Sequence, residues 1–130
     1  IMPRPGGGEA VAADDLWGDF KQVQIAELVA DQKVVFVDVT ADWCITCQVN
    51  KTLVLGRSPV LDALQAEGVV ALQADWTNPD EKIAAFLESF GRYGIPFNVV
   101  YGPAAPEGIP LPELLTDDAV LEGLRRARGG

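Results

Sequence analysis

Both cysteines of the chain stand in one tetrapeptide, Cys44-Ile45-Thr46-Cys47. Two thiols three positions apart at the start of a helix can close a small disulfide, and the partial positive charge of the helix end stabilises the thiolate that exchange requires. The pattern points to thiol-disulfide exchange. Cys44, nearer the helix start and expected to be the more exposed, is the attacking thiolate, and Cys47, one turn further in, resolves the mixed disulfide. Two readings compete. A structural disulfide would constrain little of the unfolded chain, because the ring it closes is so small. A zinc site needs four ligands, and with no histidine and no third cysteine in the sequence, carboxylates or another chain would have to complete it. No metal and no bound cofactor are expected beyond the redox-active Cys44-Cys47 pair.

Asp38, six positions before Cys44, interrupts an otherwise apolar run. Burial there desolvates the carboxyl and raises its pKa, which suits a proton shuttle. The competing reading is a strand-edge aspartate whose side chain reaches solvent or a backbone amide. Asp42 stands two before Cys44 and either caps the helix or, through its charge, opposes thiolate formation. Trp43 is expected to cover the rim of the site, contact partners and report redox state by fluorescence. Trp17 and Trp76 have no constellation around them and are expected to pack. The acids at Asp14, Asp15, Asp117 and Asp118 read as helix-start and surface residues, and no hydrolase constellation accompanies them. Gly6-Gly7-Gly8 lacks the lysine and the strand-to-helix context of a phosphate loop.

The elements that must hold these residues alternate between strand and helix. A first strand is expected over Phe20 to Val23, then a helix on the spacing of Ile25, Leu28 and Val29, ending before Asp31 and Gln32. Val34 to Val39 is nearly continuous and β-branched, the pattern of a strand covered on both faces. The cysteine helix should run from about Cys44 to Leu55 and stop at Gly56. Ser58-Pro59 supplies an N-cap and first-turn proline for another helix up to Gly68. A strand over Val69 to Ala74 follows. Asn78-Pro79-Asp80-Glu81 reads as cap, proline and first-turn acids for a helix carrying Ile83, Phe86, Leu87 and Phe90 on one face. A strand over Phe97 to Tyr101, a proline-rich turn from Gly102 to Pro110 and an edge strand near Leu111 to Leu115 form a hairpin. Thr116 caps a last helix, with Asp117 and Asp118 at its start and Arg125, Arg126 and Arg128 near its end. No internal repeat is present.

At 130 residues and 48% apolar content the chain can bury one core. A net charge of −9 disfavours a nucleic-acid or anionic membrane surface. No apolar stretch approaches the roughly 20 residues that span a bilayer, and the N-terminus lacks the regions of a signal peptide, so no direct membrane insertion is expected. The start at Ile1 and the run Pro3, Pro5, Gly6, Gly7 and Gly8 lead us to expect a linker over residues 1–13, a domain over residues 14–130, and a longer parent chain.

The element order, with CxxC after a buried strand and Gly94-Ile95-Pro96 before a hairpin, resembles the thioredoxin fold, an α/β fold with a central mixed β-sheet flanked by helices. More narrowly, three runs stand in the order of one family: Val37 to Asn50, Ala74-Asp75-Trp76-Thr77, and Phe90-Gly91-Arg92-Tyr93-Gly94-Ile95-Pro96. They resemble the C-terminal periplasmic domain of the DsbD/ScsB transmembrane thiol-disulfide interchange proteins. The resemblance covers roughly Leu16 to Leu124. It implies a periplasmic protein-disulfide reductase domain of an inner-membrane protein. The transmembrane domain of the same parent protein would be its electron donor, and periplasmic disulfide-containing domains or proteins its acceptors. A free-standing thioredoxin-like oxidoreductase or isomerase is the alternative, and a noncatalytic adaptor a further one.

The resemblance also implies roles. Asp38 would lie beneath the site and assist deprotonation of Cys47. Pro96 would be cis and stand opposite the CxxC, leaving the Ile95 backbone free to pair with an extended substrate. Trp43, Ile45 and Thr46 would complete the face presented to the partner. Two departures stand out. The family often carries an acid four positions after the second cysteine that holds the thiol pKa high, and here that position is Lys51, whose charge favours thiolate. Thioredoxins commonly carry threonine after the loop proline, and Phe97 here is expected to make that surface more apolar.

Overall fold

The structure, a computed structural model, describes residues 16–129. In chain order they form β1 (Gly18–Asp19), α1 (Gln22–Ala30), β2 (Val34–Thr40), α2 (Ile45–Asn50) running into a π-helical turn (Lys51–Leu55), α3 (Val60–Leu64), β3 (Val69–Asp75), α4 (Glu81–Glu88), β4 (Phe97–Gly102), β5 (Ala105–Pro110) and α5 (Asp117–Arg128). The expected linker over residues 1–13, and the first two residues and the last of the expected domain, lie outside the described residues.

The β-branched run becomes the middle strand of a mixed sheet in the order β1-β3-β2-β4-β5. β2 pairs parallel to β3 and antiparallel to β4, and all seven of its residues are buried. Because successive strand residues face opposite sides, β2 feeds two cores. Val35, Val37 and Val39 join Ile25, Ile83, Phe86 and Leu87 on the side of α1 and α4. Val34 and Phe36 join Val54, Leu55, Leu64 and Leu124 on the other side. Alternation therefore puts Asp38 on the second face, the one covered by the cysteine-bearing helix. Cross-strand register sets it in a polar row, Asp19 opposite Gln73, Gln73 opposite Asp38, and Asp38 opposite Asn98.

Several expected boundaries move. The first strand is Gly18–Asp19 and not Phe20 to Val23: the Phe20 N–H makes the last bond to Gln73, and Val23 already lies in α1 with 79% of its surface exposed. Ser58 does not cap α3. Pro59 takes that position after a cis Ser58–Pro59 bond, and the Ser58 hydroxyl donates instead to Asp62, 2.9 Å away. α3 also ends at Leu64, short of Gly68, which turns with a positive φ of 86° into β3. The cap of α4 is Asp80 rather than Asn78, its carboxylate accepting from the Lys82 and Ile83 N–H groups. The edge strand is not at Leu111 to Leu115; it lies inside the proline-rich segment expected to be a turn, as β5. An edge strand tolerates Pro106 and Pro110 because its outer N–H groups have no ladder to join. Leu111 and Leu115 anchor the following loop through burial. Thr116 caps α5 as expected, accepting from Ala119 N–H.

Candidate active site

β2 ends at Thr40, and the chain turns through buried Ala41 and exposed Asp42 and Trp43 into α2. Cys44 is the N-cap of α2. Its sulfur accepts from the Cys47 N–H at 3.2 Å, and its own N–H donates to Ala41 O at the same distance. A backbone donor aimed at this sulfur favours negative charge on it. Cys44 and Cys47 are joined as a disulfide, with Cα atoms 5.2 Å apart. Cys44 is the more exposed of the two, as expected, but only slightly: it keeps 6% of its surface and Cys47 keeps 2%, so both are buried. Both pack against Ala41 and Ile95, so the exposed groups are the rim residues, Trp43 at 60% and Ile45 at 80%, followed by half-buried Thr46.

Ile95–Pro96 closes the site from the β4 side. The peptide is cis, Ile95 packs on the Ala41, Cys44 and Cys47 cluster, and Pro96 is buried immediately before β4. Phe97 does not enlarge the apolar surface as expected. It is 1% exposed and turned into the α1/α4 core beside Phe86 and Phe90, with the Arg92 guanidinium 5.1 Å from its ring centre.

Asp38 is 3% exposed, which disposes of a carboxylate reaching solvent. One oxygen accepts from Asn98 Nδ2 at 2.8 Å, the other from Gln73 Nε2 at 3.4 Å. Desolvation pushes its pKa above the ordinary carboxylate range, against the lowering effects of the Asn98 bond, the Lys51 charge and the Gln73 bond. Lys51, half-buried at the start of the π-helical turn, thus bears on Asp38 and on Asp75.

Asp42 does not cap α2, since Cys44 holds that position. The Asp42 N–H donates instead to Thr77 Oγ1 at 2.9 Å. This belongs to a clamp that sequence reasoning missed. Asp75 Oδ1 accepts from both the N–H and the hydroxyl of Thr77, at 2.9 and 2.5 Å, and these bonds hold its pKa below the usual range. Thr77 O accepts from Trp43 Nε1 at 3.1 Å, and the Trp76 N–H donates to Thr40 O at 2.7 Å. The loop after β3 thus holds the two residues before Cys44 by backbone and side chain. Its only signal in the sequence is the run Asp75-Trp76-Thr77 itself. Trp76 packs on the α1/α4 core and Trp17 on Phe36, 6.1 Å between ring centres, as expected of both. Among the described residues no group of three or more His, Cys, Asp or Glu side chains could hold a metal ion.

Comparison with known proteins fits this geometry. A family model described as thioredoxin-like matches residues 17–103, more than half of the chain. The chain belongs to the thioredoxin-like family. This thioredoxin-like chain is 36% identical over 78 residues to the thiol:disulfide interchange protein DsbD of Pseudoalteromonas atlantica, a stretch covering 60% of this chain and 13% of that protein. It is 32% identical over 84 residues to DsbD 2 of Pseudomonas aeruginosa, covering 65% and 14%. It therefore spans a small fraction of the length of these curated relatives, and over that fraction it is similar to the DsbD proteins. Among solved structures, the oxidised C-terminal domain of DsbD from Neisseria meningitidis superposes with a TM-score of 0.65 at 24% identity, covering 82% of this chain and 91% of that one. A thioredoxin from Thermus thermophilus gives 0.61 at 22%, covering 85% and 86%. At these identities the two structures speak for the fold.

Proposed function

We propose that this domain is a thiol-disulfide oxidoreductase acting as a protein-disulfide reductase. Cys44 is the nucleophile, Cys47 the resolving thiol and Asp38 the acid/base for Cys47. The observation that carries the reading is the convergence of the Cys44–Cys47 disulfide at a helix start, Ile95 packed against it, and the buried Asp38 on the sheet face that the same helix covers. A partner disulfide approaches the rim of Trp43, Ile45 and Thr46 and lies along Ile95–Pro96. Cys44 thiolate attacks one sulfur of that disulfide and the other leaves. Cys47, deprotonated by Asp38, then attacks Cys44 Sγ, closes the Cys44–Cys47 bond and releases the partner reduced.

The similarity to the interchange proteins supports a place for the domain in an electron relay. The dithiol would be regenerated by a membrane-embedded domain of a parent protein and spent on periplasmic acceptor domains or proteins. No helix among the described residues is long and apolar enough to cross a membrane, and a domain working outside the bilayer fits that relay. Asp42 and Lys51 modulate the charge around the site.

The deciding experiment is the redox equilibrium of Cys44–Cys47 in graded glutathione buffers, with free thiols trapped by a mass tag. A potential near or below about −200 mV, in the range of glutaredoxins and thioredoxin, is expected of an electron donor. A value near about −120 mV marks an oxidant and overturns the reductase reading. Absence of exchange leaves a structural disulfide or an adaptor, and Cys44→Ala separates these from a reductase, which loses all turnover.

A further inference from the structure

The acid/base residue is sealed from solvent, yet each catalytic cycle must move a proton off it. Asp38 has two hydrogen-bonded sides. On the β4 side stands Asn98, 1% exposed, whose own Oδ1 has no hydrogen-bond partner among the described residues, so the polar row ends there. On the β3 side stands Gln73, half-buried, which touches Asp38 with its amide and also lines a cavity of about 370 Å³. That cavity opens between β1, the end of β3 and the π-helical turn, with Trp17, Asp19, Lys51, Leu55 and Asp75 among its walls. Asp38 itself is not in the wall; Gln73 stands between. The cavity is wide enough for several waters and has polar partners for them.

We propose that protons pass between Asp38 and solvent through this cavity, with Gln73 the gate and Lys51 setting the charge at its mouth. The inference rests on the reading of Asp38 as the acid/base for Cys47. In the mixed disulfide, the Cys47 thiol gives its proton to the Asp38 carboxylate and its electron pair to Cys44 Sγ. The Cys44–Cys47 bond forms, the bond to the partner sulfur breaks, and the partner leaves as a thiolate, reduced, while the cysteine pair is oxidised. Asp38 then hands the proton past the Gln73 amide to cavity water. Gln73 and Lys51 are positioning residues that act through Asp38. The charged and titratable groups around this route are Lys51 on the π-helical turn, Asp19 on β1, Asp75 at the end of β3 and Cys47 on α2; Asn98 and Gln73 are neutral. Lys51 is this chain's own solution to the site, since its cation lowers the cost of charging Asp38 from the solvent side.

The test follows the two thionitrobenzoate equivalents released when the reduced chain meets Ellman's reagent. Cys44 releases the first, and Cys47, needing its proton removed, releases the second. Asp38→Asn is expected to slow the second release by about a hundredfold and Gln73→Leu by about tenfold, both leaving the first unchanged, effects on the scale of general acid–base catalysis. The double variant should be no slower than Asp38→Asn, because gate and base lie on one route. Lys51→Met should move the pH midpoint of the second release upward, since it removes a cation that lowers the Asp38 pKa. An unchanged second release in Gln73→Leu with a slowed one in Asp38→Asn overturns the port alone. An unchanged second release in Asp38→Asn overturns the acid/base reading and the port with it. Slowing of both releases in Gln73→Leu, further slowing in the double variant, or an unmoved midpoint in Lys51→Met also overturns the port. Gln73→Met carries the same expectation as Gln73→Leu should the leucine variant not fold.

Discussion

A carboxyl group that is almost wholly buried, with two amide donors and no cation in direct contact, weakens the fold that holds it. Asp38 is in that position, and its raised pKa fixes the sign of the effect. The folded state holds the Asp38 proton more tightly than the unfolded chain does, so its contribution is fully favourable below the ordinary carboxylate range and is lost as pH rises through the folded pKa. Asp38→Asn keeps an amide in the same row without a charge. It is expected to raise the stability at neutral pH by on the order of 1–3 kcal/mol, with the advantage fading as acid protonates Asp38 in the wild type. Urea unfolding at neutral and at acid pH checks both halves. The acid/base role we propose for Asp38 would account for a destabilising residue at this position. Asp38 was legible in the sequence because a charge inside a β-branched run is conspicuous. Thr77 was not, because its value comes from groups 34 and 35 positions away in the chain, Trp43 Nε1 and Asp42 N–H.

The cysteine helix is stable where it is because both of its ends are tied to other elements. At its start the loop after β3 holds Asp42 and Trp43. At its end Asn50, 3% exposed, donates to Glu113 O at 2.7 Å and accepts from the Leu115 N–H at 3.1 Å, so one side chain joins α2 to the loop between β5 and α5. Asn50→Ala leaves a buried backbone N–H without its partner. It is expected to cost about 2–4 kcal/mol, from one unpaired buried group and the lost bonds together, read as a lower midpoint in denaturant with little change in slope. The helix then continues as a π-helical turn, a rare geometry frequent at functional sites, which places Lys51 on the cavity beside Asp75. On the same side of the sheet α5 crosses the end of β4 so closely that a Cβ on Gly102 would collide with the backbone of Ala127. Gly102→Ala is therefore expected to destabilise by about 2–3 kcal/mol through overpacking, measured by thermal unfolding. The existence of both helices could be read from periodicity and caps; their ties could not, since those pair residues some 25 to 65 positions apart.

Across the whole molecule, the large exposed apolar groups near the disulfide are Trp43, Ile45 and Tyr93, the last two positions before Ile95. On an otherwise acidic surface this rim suits an apolar segment of a protein disulfide more than it suits a small reagent. Ile45→Ser is expected to lower kcat/KM toward a protein disulfide by about tenfold, the loss of roughly 1–2 kcal/mol of apolar burial. Reaction with a small disulfide should be unchanged, and parallel assays with the two substrates check the contrast. The sequence by itself determined the redox pair, the alternation of strand and helix, the doubly covered central strand and the buried carboxyl within it. Those features follow from local chemistry: spacing of thiols, β-branched runs, helical periodicity and a charge out of place. Only the tertiary structure decided that β5 runs through the prolines, that Phe97 turns inward, that Cys44 rather than Asp42 caps α2, and that Gln73 stands between Asp38 and a cavity. Each depends on strand register or on a contact between residues far apart in the chain. A one-residue change in register would turn every side chain to the other face, and local patterns do not carry that information.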